Sequence, residues 1–90
     1  MTVIDELFAV LKERQANPSP ESYTAQLLAD EDEILKKIGE EAIEVILAAK
    51  GQGRQRLIEE SADVVYHLSV LLVAKGIDWA DIEAELVSRR

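Results

Sequence analysis

Glu41 and Glu44 stand three residues apart, and so do Glu60 and Asp63; between the two pairs lies the glycine-bracketed segment Gly51-Gln52-Gly53. On a helix, three-residue spacing keeps both members of a pair on one face, and two antiparallel helices joined by a short turn bring such pairs face to face. Four carboxylates offer only oxygen donors. That set selects a hard ion, Mg²⁺ with Mn²⁺ as a substitute, which keeps several waters and accepts substrate phosphates in its open positions. The chemistry that follows is hydrolysis of a phosphoanhydride, with the ion screening phosphate charge and lowering the pKa of an attacking water.

The surroundings of these acids make the reading more specific. Glu60, Asp63 and His67 share a narrow sector of a segment in which Val64, Val65, Leu68, Val70, Leu71, Leu72 and Val73 are spread around the whole circumference, a pattern that predicts a helix buried on every side. Ionised carboxylates in such a setting need a counter-charge or else must protonate. The Lys and Arg residues lie mostly near loops and chain ends, apart from Lys37, which leaves a divalent cation to neutralise the two facing sets. On the preceding helix Lys37, Glu40, Glu41 and Glu44 form an acidic sector opposite Ile34, Leu35, Ile38, Ala42, Val45, Ile46 and Ala49. By itself that sector also fits an ordinary solvated face.

The elements that position these residues are all helical. Thr2 with Asp5 reads as a cap for a first helix reaching about Ala16, and Asn17-Pro18-Ser19-Pro20 ends it. Ser22-Tyr23-Thr24 opens a short piece through Leu28; Asp30 with Glu33 caps a long helix reaching Lys50; the next begins near Arg54 and ends at Gly76; Asp78 with Asp81 caps the last. No alternating strand pattern and no internal repeat interrupts this order, so the sequence predicts one all-α domain over residues 1–90.

Ninety residues with 48% apolar but only 4% aromatic side chains imply an aliphatic core with apolar surface left over, since a chain this short hides only about 60% of its unfolded surface. A homodimer is the expected remedy. The net charge of −8 argues against a sequence-independent grip on nucleic acid, which depends on Lys and Arg neutralising phosphates. Without cysteine there are no disulfides, thiolate nucleophiles or Cys-based zinc sites. Neither a membrane span nor the basic start of a secretory signal is evident, and a cytoplasmic setting is expected.

The segments Lys36-Lys37-Ile38-Gly39-Glu40-Glu41-Ala42-Ile43-Glu44 and Glu60-Ser61-Ala62-Asp63-Val64-Val65-Tyr66-His67-Leu68 resemble the signature of the phosphoribosyl-ATP pyrophosphatases, a branch of the MazG-like nucleotide pyrophosphohydrolases. Ser22-Tyr23-Thr24 and the closing Glu85-Leu86-Val87-Ser88-Arg89 extend the similarity over nearly the whole chain. The resemblance implies a MazG-like helical bundle completed by homodimerisation, acting on phosphoribosyl-ATP to give phosphoribosyl-AMP and pyrophosphate, the second step of histidine biosynthesis. It implies Glu41, Glu44, Glu60 and Asp63 as Mg²⁺ ligands, Glu40 as a nearby catalytic acid that ligates or positions water, and Lys37 as a phosphate contact. Tyr23 either packs or reaches the nucleotide.

Other side chains have plainer readings. His67 is expected to be structural or to orient the Asp63 carboxylate through a hydrogen bond, Trp79 to staple the last helix to the core, and Lys50, Arg54 and Arg56 to serve as helix-end charges, with a substrate contact as their weaker alternative. Two alternative functions remain open at this level: a housecleaning nucleoside triphosphate pyrophosphohydrolase with the same four acids, and a non-catalytic helical dimerisation module. A substrate panel separates the first, a metal titration the second.

Overall fold

The computed structural model describes residues 2–90 and consists of five helices: α1 (Val3–Ala16), α2 (Tyr23–Leu28), α3 (Glu31–Gly51), α4 (Arg54–Ala74) and α5 (Trp79–Ser88). The starts of α1, α2, α3 and α5 are set by short-range polar chemistry. Thr2 with Asp5 and Asp78 with Asp81 form reciprocal capping boxes, while the Ser22 and Asp30 side chains accept from the backbone N–H groups of Ala25 and Glu33. Each such cap satisfies an N–H that has no partner within the helix. The stops are equally local. Helix α4 ends at Ala74, two residues before Gly76, because Gly76 at φ +73 reverses the chain so that its N–H donates to the Val73 carbonyl and that of Ile77 to Leu72. This paired closure is the Schellman arrangement.

Gly53, at φ +90 and ψ 167, makes the other reversal, between α3 and α4. Only glycine occupies that backbone region without strain. The two long helices therefore run antiparallel as the central layer, and the core gathers at one end of it. Phe8 and Leu11 of α1, Leu27 of α2, Ile34 of α3 and Val70, Leu72 and Val73 of α4 are the buried apolar residues of this cluster. Helix α5 joins through Trp79, whose ring centroid lies 6.1 Å from that of Phe8, and through Ile82. Trp79 thus takes the stapling position expected of it.

Burial departs from the sequence pattern in two places. Helix α4 is not enclosed on every side: its fully buried apolar residues lie in its second half, and Ile58 near its start is exposed. Ile34, Ile38, Glu41, Val45 and Ala48 are buried or half-buried along one line of α3, flanked by the half-buried Glu33, Lys37 and Glu44, whereas Leu35, Ala42, Ile46 and Ala49 are exposed. The steps of four, three, four and three form the narrow seam of one helix packed along another. A single partner helix covers less of α3 than its apolar composition invites, so Leu35, Ile43, Ile46 and Leu47 remain open.

Candidate metal centre

Glu41 occupies the middle of the α3 seam, between Ile38 and Val45, and faces α4. On α4, Glu60 and His67 are both buried, and their seven-residue separation puts them on the same side of the helix. Oxygens of Glu41, Glu60 and Asp63 all lie within 4.8 Å of one another, with Glu60 buried, Glu41 half-buried and Asp63 exposed. Oxygens gathered this closely from two helices are the donor type that a hard divalent cation takes. The donor set fits: three carboxylates on a rigid helical pair, one edge open to solvent for water or phosphate.

Burial, first, and then the hydrogen-bonding approach of Glu60 and the charges of Asp63 and Glu60 push the Glu41 carboxyl above its usual range. Crowded carboxylates favour a proton on one of them, and a cation answers the same need.

The four acids expected as ligands are not treated alike by the fold. Glu44, one turn beyond Glu41, is half-buried and does not belong to the converging set; its charge acts instead on the guanidinium of Arg56. Glu40 points away from the seam and is exposed, and Lys37 is half-buried one turn before Glu41. Tyr23 is 52% exposed and borders a shallow pocket with Gln26, Leu27, Asp30 and Glu33, while its neighbour Thr24 shares a 2.6 Å hydrogen bond with the Tyr66 hydroxyl.

His67 does not orient the Asp63 carboxylate. Its Nδ1–H donates to the Asp63 backbone carbonyl at 2.9 Å, and its ring stands edge-on to Tyr66. The four-residue spacing that suggested a carboxylate contact is also the spacing that brings a helical side chain over the carbonyl one turn earlier.

Arg56 does more than the helix-end charge that its place in the first turn of α4 suggests. Its Nη1 donates to Glu59 at 2.8 Å, and its Nη2 donates to the buried Glu60. The signal lay in the i,i+4 step from Arg56 to Glu60, outweighed by the residue's position in the first turn of α4.

An all-α chain whose central antiparallel pair presents converging carboxylates from both helices defines a class of small helical proteins built for divalent-cation chemistry. The phosphoribosyl-ATP pyrophosphohydrolase family model matches residues 4–90, and the chain belongs to that family. It is 53% identical to a phosphoribosyl-ATP pyrophosphatase of Haloarcula marismortui, over 98% of this chain and 93% of the relative. Against the phosphoribosyl-ATP pyrophosphatases of Bacillus thuringiensis and Bacillus anthracis it is 51% and 50% identical, over 92% of this chain and 78% of each relative.

Proposed function

We propose that the protein hydrolyses the phosphoanhydride of phosphoribosyl-ATP to release pyrophosphate and phosphoribosyl-AMP, as the names of its relatives indicate for them. Full-length family membership supports the substrate. The single structural observation that carries the chemistry is the convergence of Glu41, Glu60 and Asp63 across the α3–α4 seam. Those three residues would hold Mg²⁺, with Glu44 as the fourth acid once its side chain turns toward them. A cation there supplies screening of the polyphosphate and a more acidic water.

The chain's own residues do the rest. The two rigid helices fix where the carboxylates stand, and Lys37, half-buried one turn from Glu41, offers an ammonium to a phosphate oxygen. Glu40, on the solvent edge, is positioned to order water rather than to bind the ion directly. A second copy of the chain covers Leu35, Ile43, Ile46 and Leu47, on the side of α3 away from Glu41.

The test is pyrophosphate release from phosphoribosyl-ATP in the presence of Mg²⁺, beside ATP and dCTP, for the unmodified protein and Asp63→Asn. The expected result is turnover confined to phosphoribosyl-ATP and reduced about 100-fold or more in the variant, in line with loss of a group that fixes the reacting charges. Comparable turnover of all three nucleotides would favour the housecleaning reading instead.

A further inference from the structure

Glu60 is 5% exposed, and a buried carboxylate stays ionised only with a partner. Its partner is Arg56, one turn earlier on the same helix. The guanidinium divides its donors: Nη2 meets Glu60, while Nη1 meets the exposed Glu59, which is also held by Gln55 Nε2 at 3.2 Å. Across the seam Glu44 adds a further negative charge to its surroundings. Among the described residues, the other ion pairs join Lys12 to Asp78, Arg14 to Glu13, Lys75 to Glu31 and Arg89 to Glu85. None of them reaches the cluster, so Arg56 is the cation that pairs directly with it.

We infer that Arg56 is an internal counter-cation which a divalent ion must displace from Glu60, and that it holds the cation affinity of the site below what the acids alone would give. The inference rests on the cation-site reading above. Arg56 occupies Oε1 of Glu60, which leaves a divalent ion the other oxygen alone, and a guanidinium kept there would face that ion as a like charge on the same carboxylate, where the two repel. Displacement is easy because the arginine has two anchors. With its side chain 48% exposed, it swings off Glu60 while Glu59 keeps hold of the other arm, and the Glu60 carboxylate is then free to face the ion. Arg56 thus protects the empty site from an unpaired buried charge and yields to a doubly charged competitor.

The experiment is a Mn²⁺ titration of the full chain, followed by electron paramagnetic resonance of the free ion, for the unmodified protein, Arg56→Lys, Arg56→Gln and Asp63→Asn. Affinity should rise from the unmodified protein through Arg56→Lys, whose ammonium cannot pair both carboxylates with one planar fork, to Arg56→Gln, by about ten-fold at the end of the series. Arg56→Gln should also melt at lower temperature without metal and recover with it, a readout independent of turnover. Should Arg56→Gln not fold without metal, Arg56→Lys carries the comparison. Variants that bind Mn²⁺ no tighter than the unmodified protein, while Asp63→Asn does not bind, would overturn the role of Arg56 and leave the site reading standing. Absence of binding by the unmodified protein would overturn both.

Discussion

At the scale of single residues, Glu41 shows what packing adds to an acidic motif. Its carboxyl is held above the usual range because burial, Glu60 and Asp63 all disfavour its charge. A raised folded-state value means that the folded protein binds the proton more tightly than the unfolded chain. Its contribution to stability is therefore fully present below the ordinary value of 4.5 and is lost as pH rises through the raised folded value. Asp5, held low first by the Thr2 backbone N–H, and Glu59, held low first by Arg56, act with the opposite sign and lose stability as pH falls. The Glu41 effect is isolated by difference. Relative to Glu41→Gln, the metal-free protein should lose stability as pH rises from the ordinary value of 4.5 through the raised folded-state value. Saturating Mg²⁺ should reverse that trend because the ion takes the deprotonated form. Urea denaturation of both proteins with and without the ion checks the outcome; parallel curves would contradict the crowding of these carboxylates.

At the scale of elements, the α3–α4 turn determines whether the acids meet at all. Gly53 has φ +90, where a Cβ meets no neighbouring atom yet the backbone itself is strained for any other residue. Gly51, the last residue of α3, is equally open but not left-handed. Gly53→Ala should cost about 1–3 kcal/mol. Gly51→Ala should be neutral or stabilising by up to about 1 kcal/mol, because alanine loses less backbone freedom in a helix. Chemical denaturation with a linear extrapolation separates the two. Equal destabilisation would show that the turn owes its shape to something other than backbone conformation.

For the whole molecule, Leu35, Ile43, Ile46 and Leu47 of α3, with Ile58 of α4 and Leu86 and Val87 of α5, are large apolar side chains left open on the single subunit, and contiguous apolar surface of this kind marks interaction sites. A homodimer covering the α3 face should appear in sedimentation at micromolar concentration, with a thermal midpoint that rises with protein concentration. Ile46→Glu, at a residue 61% exposed in the single subunit, should shift the equilibrium to monomer, because it would place a charge in an apolar contact. A variant that sediments as the unmodified protein does would place any interface elsewhere.

The helix order was legible in the sequence because caps and stops are local: Thr2, Ser22, Asp30 and Asp78 meet backbone groups within three residues, and Gly53 and Gly76 reverse the chain by their own backbone freedom. The pairing of Glu41 with Glu60 and Asp63 was legible for a related reason, since helical spacing and one short turn leave few ways to arrange two neighbouring helices. Periodicity reports which residues are apolar but not which apolar face finds a partner, so the outward turn of Leu35 and Ile46 and the half-open α4 emerged only from packing. Side-chain direction lay beyond the sequence as well. Arg56 reached inward to Glu60, His67 bonded a carbonyl rather than a carboxylate, and Glu44 stayed outside the converging set of the other three acids, because each choice depended on competing partners that only the assembled helices bring within reach.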